Sequence, residues 1–325
     1  MSSLVSIIIV TYNSSQFVTE TLESVSQQTW KGIELIITDD CSEDDTVEVC
    51  RNWLNENENK NRFFRIEIIK SGKNSGVPAN ANRGLNAATG DWMAFLAGDD
   101  TLKTDYIRDN MTYIASRPEI KVLLSGIEVY QDTFEPQNLL KTTPEDAYNQ
   151  HSIVTPGRSA DSQYRMLLLH DRIHYTPSLF IHREALLSVG GFDERFRLLE
   201  DYPLWLNLTK NGYKLYFMDK VTVNYRRHSK SIYNAGNGYL IEPNYFLEED
   251  FRKIYTYPNM PVDIRLNKRF FWYVSQIFRC NWLNRDTKPN RFLLSLLTIY
   301  LNPFKYFIMI KKLLNKNLQN NEFYI

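Results

Sequence analysis

The chain has little of what marks several large functional classes. Its charges cancel, 38 Lys and Arg against 38 Asp and Glu, so no overall charge draws it to nucleic acid. Only three cysteines occur, Cys41, Cys50 and Cys280. They are widely spaced and odd in number, which argues against a metal-binding pattern and for a reduced, cytosolic setting. Met1-Ser2-Ser3-Leu4-Val5 runs straight into a β-rich stretch with no basic-then-apolar leader, so no signal peptide is expected. No uninterrupted apolar run reaches about 18 residues, so a spanning helix is not expected. Internal repeats and low-complexity tracts are missing. So are a Gly-x-Gly-x-x-Gly after the first strand and a Walker-type Gly-Lys-Ser/Thr, which argues against a dinucleotide fold or a P-loop enzyme. Phosphate would then be held by a metal or by basic side chains.

What is present is an alternation of apolar β-rich runs and amphipathic helices. Leu4–Val10, Glu34–Thr38, Phe64–Lys70 and Met93–Ala97 read as strands. Helices are expected after Ser14 or Ser15 as cap, over Thr46–Glu56, and over Pro78–Ala88, with an exposed loop at Asn55–Asn61. This βαβαβαβ order predicts a parallel sheet with right-handed crossovers. Three strands end in polar clusters, Thr11-Tyr12-Asn13, Asp39-Asp40 and Asp99-Asp100. The carboxyl ends of such strands form the crevice where open α/β sheets bind ligands. Two adjacent carboxylates there repel each other unless a cation lies between them, and oxygen ligands suit Mg²⁺ or Mn²⁺. An Asp-rich turn capping the next helix is the plainer alternative.

Further along, a helix is expected from Thr104 to Arg117 and a strand over Val122–Tyr130. Gln131–Ser162 is a long polar stretch of the kind used as a lid or acceptor-binding element. A helix follows over Gln163–His170, then a strand over Tyr175–Arg183 and a short helix over Ala185–Val189. Leu215–Met218 and Val221–Tyr225 read as the last two strands. Ahead of them, Leu198-Leu199-Glu200-Asp201-Tyr202 places two carboxylates at the start of a helix whose buried side carries Trp205 and Leu208.

Taken in order, Val5–Asn13, Asp39-Asp40-Cys41-Ser42, Asn74-Ser75-Gly76-Val77 and Gly90–Asp100 resemble the family 2 glycosyltransferases of the GT-A fold. The likeness covers roughly residues 4 to 232. That family is inverting, metal-dependent and uses nucleotide-sugar donors. The resemblance implies a mostly parallel, Rossmann-like α/β sheet with nucleotide contacts from Thr11, Tyr12, Asn13, Asp40, Asn82, Arg83 and Asp99. Tyr12 would stack on the base and Asp40 would accept from its ring N–H, which favours uracil or thymine. Asp99 and Asp100 match the metal-binding and ribose-contacting carboxylates, with Mn²⁺ or Mg²⁺ as cofactor. Two departures stand out: Ala97 and Ala81 lie where the family often has Asp and Arg. Arg83 or Lys73 is the expected replacement for the second. Gly190-Gly191-Phe192-Asp193-Glu194 resembles a structural turn of the family.

The Glu200-Asp201 pair resembles the family's second chemical centre. Inverting transfer needs a base for the acceptor hydroxyl, a role the resemblance gives to Asp201, with Glu200 orienting the acceptor. A helix N-terminus lowers a carboxylate pKa, while burial and an acidic neighbour raise it. Tyr225-Arg226-Arg227-His228 resembles a Tyr-Arg-x-His segment. There His228 would complete the metal shell or touch the diphosphate, and Arg226 or Arg227 would offset its charge.

Beyond about residue 235 the composition changes. Tyr233–Gly238 reads as a hinge. Arg265–Lys316 carries eleven basic residues and one acidic residue, Asp286, interleaved with aromatics. Such helices lie on anionic membranes, and packing on the catalytic part or on a second copy is the alternative. Gln276-x-x-Arg279 is followed by Cys280 rather than Trp, so the segment of processive family members is missing and one sugar per encounter is expected. The expected division is 1–235, a GT-A domain, and 236–325, a helical appendage. The whole reads as an enzyme moving one sugar from a UDP-sugar to a glycan or lipid-linked acceptor at the inner face of a bacterial membrane. No nucleic-acid partner is expected. A non-catalytic nucleotide-sugar-binding module is the rival, and a nucleotidyltransferase a weaker one.

Overall fold

Val5–Thr11 (β1) is a β-branched run in which Val5, Ile7, Ile8 and Ile9 are fully buried. Such a strand needs cover on both faces and neighbours on both edges. In the computed structural model, which describes residues 3–149, 151–228, 238–315, 318 and 321–324, it has both. Ile33–Asp39 (β2) and Trp92–Ala97 (β4) flank it in parallel, and Arg65–Lys70 (β3) extends the sheet beyond β2. Val18–Ser26 (α1), Thr46–Asn55 (α2) and Val77–Ala87 (α4) are the crossovers. The parallel half is therefore as expected.

Beyond β4 the sheet becomes mixed. Phe180–His182 (β8) runs antiparallel to β4 and to Val122–Gln131 (β6). Leu215–Arg227 (β9) pairs parallel with β6, and Thr101–Leu102 (β5) pairs antiparallel with β9. Leu139–Thr143 (β7) adds an antiparallel strand to β6. The path is β3-β2-β1-β4-β8-β6-β9-β5, nine strands with β7.

Several local expectations differ from this structure. Ser14 and Ser15 do not cap α1 through their hydroxyls; the Ser14 carbonyl accepts from Phe17 and Val18 instead. The loop expected at Asn55–Asn61 contains a helix, Asn57–Arg62 (α3). It is fastened because Arg62 donates to the carbonyls of Ser26, Gln28 and Trp30, each at 2.7 Å. The two final strands are one, β9, whose register against β6 jumps from Met218 to Val221. The polar pair Asp219-Lys220 that suggested a turn is an irregularity within the strand. Only the end of Tyr175–Arg183 is strand; Thr176–Ser178 forms a single 3₁₀ turn. The long polar stretch after Gln131 contains β7, so part of it is tied to the sheet.

Tyr106–Ala115 (α5), Ala160–Leu169 (α6), Arg183–Ser188 (α7) and Asp201–Lys210 (α8) complete the first part of the chain. Contacts divide the chain into two compact units, Met1–Tyr164 with Arg172–His228, and Arg165–Asp171 with Ser229–Ile325. The second contains Pro243–Tyr255 (α9), Val262–Ile277 (α10), Lys288–Ser295 (α11) and Pro303–Leu314 (α12). Its apolar centre is Ile241, Phe246, Val274, Phe278 and Leu283. The expected hinge at 233–237 and the residues 229–231 after His228 lie outside the described residues.

Candidate active site

The carboxyl ends of the parallel strands are laced together by backbone hydrogen bonds. Gly98 N–H donates to Val10 O at 3.0 Å, Asp40 N–H to Thr11 O at 3.0 Å and Ser71 N–H to Asp39 O at 2.8 Å. Side chains of the three polar clusters therefore meet at one edge. Thr11 is buried, its hydroxyl donating to Thr38 O at 3.2 Å and to Asp39 Oδ2 at 3.0 Å. Asn13 adopts the left-handed φ of 51° that Asn tolerates, and its Oδ1 accepts from Glu43 N–H at 2.9 Å. Between them Tyr12 stands 45% exposed. An aromatic ring this open at a strand end offers a face for stacking.

Asp40 is 3% exposed. Its carboxylate accepts from the Ser75 and Gly76 N–H groups, at 2.9 and 2.7 Å to Oδ2, and from Arg83 Nη2 at 2.5 Å to Oδ1. Gly76 has φ 95°, and a Cβ there would lie 2.6 Å from Arg197 O, so this turn requires glycine. Arg83 also donates to Asn80 Oδ1 at 2.9 Å, while its buried Nε has no partner. Of the two expected replacements for a basic residue at position 81, the structure brings Arg83 to this cluster. Asn82 faces elsewhere. It donates to Phe192 O and Glu194 Oε1, both at 2.8 Å, and accepts from Phe192 N–H at 2.9 Å. Asn82 thus pins the Gly190-Gly191-Phe192 turn to α4.

Asp99 and Asp100 follow β4. Asp99 is half-buried and its Oδ2 lies 2.9 Å from His228 Nε2. Asp100 is 1% exposed; its Oδ1 accepts from Arg226 N–H at 2.8 Å, and its Oδ2 is buried without a partner. Burial, then the adjacent Asp99 charge, push the Asp100 carboxyl well above the usual carboxylate range. An orphaned carboxylate oxygen at that cost is what a bound cation would satisfy. Among the described residues no three His, Cys, Asp or Glu side chains form a ready-made metal cluster. The set fits a hard divalent ion of the Mg²⁺ type, which is held by one or two carboxylates and takes its other ligands from water and substrate phosphate.

Arg226 is 3% exposed and fully engaged. Its guanidinium lies 4.8 Å from the Phe17 ring centroid and 4.0 Å from that of Phe134. It donates to Asp99 O at 2.8 Å, to Asp132 O, and to Glu20. This arginine braces the carboxylate pair, and Arg227, which is exposed, is the basic side chain left facing solvent.

Asp201 opens α8. Its Oδ2 accepts from the Thr176 hydroxyl at 2.9 Å and its Oδ1 from Tyr202 N–H at 2.7 Å. Burial raises its pKa; the Thr176 hydroxyl, the Tyr202 N–H and nearby His174 oppose this without cancelling it. Glu200, at the N-cap position, is half-buried. The Tyr225 phenol is raised by burial and by the charges of Asp100, Asp99 and Glu200. The Asp99-Asp100 pair and Glu200 therefore both act on this one phenol.

A family model described as Glycosyl transferase family 2 matches residues 6–186. The chain belongs to glycosyl transferase family 2. Among relatives, an Escherichia coli protein named UDP-Glc:alpha-D-GlcNAc-diphosphoundecaprenol beta-1,3-glucosyltransferase WfaP is 30% identical over 70% of this chain and 79% of its own length. An uncharacterized glycosyltransferase of Haemophilus influenzae is 27% identical over 63% of this chain and 62% of its own. The chain thus spans under two thirds of that relative. The solved structure of Staphylococcus aureus TarS 1-349 with UDP-GlcNAc overlays with a TM-score of 0.58 at 17% identity, covering 85% of this chain and 73% of that one. This likeness gives the fold, a mixed sheet flanked by helices and followed by C-terminal helices, which is GT-A.

For this family 2 member, reading the sequence passed over Asn80, Thr176 and Glu20. Asn80 Nδ2 donates to Thr11 O at 3.1 Å and Thr38 O at 3.0 Å, fastening two strand ends. Its signal was weak, one Asn among several in α4. Thr176 and Glu20 lie far in sequence from the groups they touch and carry no local signature.

Proposed function

We propose that this family 2 glycosyltransferase moves one sugar from a UDP-sugar to a hydroxyl of a glycan or lipid-linked acceptor, with inversion at the anomeric carbon. The observation that carries this reading is the setting of Tyr225. Asp99, Asp100 with its unpartnered Oδ2, and Glu200, the neighbour of the raised Asp201, all act on the Tyr225 phenol, as the carboxylates of a donor diphosphate site and of a general-base centre would. In this reading Tyr12 stacks on the base, while Asp40, fixed by Ser75, Gly76 and Arg83, sets the nucleotide edge together with Thr11 and Asn13. Asp99 contacts the ribose or shares the metal with Asp100 and His228. A bound Mn²⁺ or Mg²⁺ would offset the diphosphate charge and hold it in register.

Asp201 takes the proton of the acceptor hydroxyl as that oxygen forms its bond to the anomeric carbon. The bond from that carbon to the diphosphate breaks, and UDP leaves with the electron pair. A raised pKa makes Asp201 a stronger base than an ordinary carboxylate, provided it is ionised at the working pH. Glu200 orients the acceptor, and Arg227 faces the leaving diphosphate. Arg226 serves the same charge only indirectly, by bracing Asp99 and Asp100. The name of WfaP specifies a diphosphoundecaprenol-linked sugar, which supports a lipid-linked acceptor; on that reading the enzyme serves polysaccharide synthesis at the cytoplasmic face of the membrane.

The test is release of nucleoside diphosphate from UDP-, GDP- and dTDP-sugars with Mn²⁺, for the wild type and Asp201→Asn. The reading expects UDP release that falls about 10²- to 10⁴-fold in Asp201→Asn, with UDP binding kept. UDP binding without turnover of any donor would make the protein a binding module.

A further inference from the structure

The outward side of α12 is the reverse of a water-facing helix. Phe304, Ile308, Lys311 and Lys312 form its half-buried side, and Phe304 meets Phe270 of α10 at 6.2 Å between ring centroids. With about 3.6 residues per turn, Tyr306, Phe307, Met309, Ile310, Leu313 and Leu314 fill the opposite side, an arc roughly 160° wide. They are between 42% and 82% exposed, and no charged residue interrupts them. Tyr300, Leu301 and Phe292 add exposures of 62%, 58% and 66% before it. Scattered apolar side chains on a surface need no explanation, but a contiguous patch marks something that covers it.

The charges around the arc are of one sign. From Lys288 to Leu314 there is no Asp or Glu, and there are five basic residues. Arg291 pairs with Asp286, and Lys311 with Asp263. Among the described residues Lys288, Lys305 and Lys312 have no carboxylate partner. A second copy is a poor match, because a two-fold contact over the arc would set basic flanks against each other. An anionic phospholipid leaflet offers apolar depth with negative charge at its rim.

By length and composition Lys288–Tyr300 and Pro303–Leu314 would suffice for a span only together, as a bent pair. No single described helix is long and apolar enough, and the run is bent by 46° between Tyr300 and Pro303. At the bend Asn302 is 2% exposed, caps α12 through Phe304 N–H at 3.1 Å and donates to Asn267 of α10 at 2.7 Å. Leu293, Leu294 and Leu297 pack on the apolar centre of the second unit. A spanning segment needs lipid or apolar protein around its whole girth, whereas only the outer arc is free here.

We propose that this arc, with Phe292, Tyr300 and Leu301, lies in the plane of an anionic phospholipid leaflet and holds the enzyme against it. At the bend a cavity of about 260 Å³ is lined among others by Glu249, Lys268, Asn302 and Lys305. Glu249 shares Arg252 with Glu248. The purpose of this docking rests on the lipid-linked acceptor reading, although the docking itself does not.

The test is co-flotation of the full chain with vesicles of phosphatidylcholine alone or mixed with phosphatidylglycerol, alongside UDP binding. The wild type should float with the anionic vesicles. Ile310→Glu with Leu313→Glu, two exposed positions, should cut this about tenfold or more. Lys305→Glu with Lys312→Glu should cut it and flatten its salt dependence, and neither pair should alter UDP binding. A wild type that floats with neither vesicle overturns the proposal, as does an apolar-arc variant that floats like the wild type. A dimer that the arc variant abolishes, without vesicle binding, assigns the arc to a second copy instead. UDP binding without flotation sinks only the docking surface; flotation without UDP binding sinks only the proposed donor site.

Discussion

Thr176 donates to one oxygen of Asp201 and Tyr202 N–H to the other. Both bonds favour the charged form, while burial opposes it, and burial wins. Removing the hydroxyl should therefore raise the Asp201 pKa further. In Thr176→Val the acidic limb of the pH profile of kcat/KM should move to higher pH, since the proposed base Asp201 would have to be ionised to act. A Thr176 that only packs would lower activity equally at all pH values and leave the limb in place. Arg226 teaches a related lesson about legibility. Its place beside His228 in the chain suggested a diphosphate contact, but its partner Glu20 is 206 residues away. Nothing local in Tyr225-Arg226-Arg227-His228 distinguishes the arginine clamped between Phe17 and Phe134 from the one facing solvent.

Glu34 of β2 ties four pieces of the sheet layer together. It accepts from the Ser6 hydroxyl at 2.5 Å, Arg65 at 2.6 Å, and Thr89 N–H and hydroxyl at 2.8 and 2.9 Å. Burial pushes its pKa up, but Ser6, Thr89 and Arg65 outweigh this and hold it below the ordinary range. A lowered carboxylate pKa gives stability that is complete above the unfolded value and is lost as pH falls through the folded one. Urea unfolding should find Glu34→Gln about 1–3 kcal/mol less stable at neutral pH, with a smaller further loss in acid than the wild type.

Gly84 sets how closely α4 lies on β1: a Cβ there would sit 2.3 Å from Ile8 Cγ2. An exposed helical Gly→Ala gains about 1 kcal/mol, yet overpacking costs about 1–3 kcal/mol. Thermal melting should show Gly84→Ala less stable by about 1–2 kcal/mol; a stabilised variant would mean that α4 moves freely. The parallel half was legible because β-branched runs and crossover helices follow a strict period. The other half was less so. β8 is three residues long, β9 hides an irregularity, and α3 depends on the distant carbonyls that Arg62 reaches.

In the molecule as a whole, the residues on which the proposed chemistry rests were legible where they stand at strand ends in order, Tyr12, Asp40 and Asp99-Asp100, or at the start of a helix, Asp201. Their supports were not, because Asn80, Thr176, Arg226 and Glu20 act across the fold. The fate of Asn82 shows the same limit from the other side: its helix was legible, but which way it faced was decided by a turn 110 residues on. Asp100, buried with one oxygen unpaired, is proposed to hold a divalent ion that would meet a uridine diphosphate. Titration calorimetry of UDP with and without Mn²⁺, on the wild type and Asp100→Ala, tests it most directly. The account predicts Mn²⁺-dependent binding of UDP that Asp100→Ala loses. Binding that ignores the metal, survives the substitution or never occurs would contradict it.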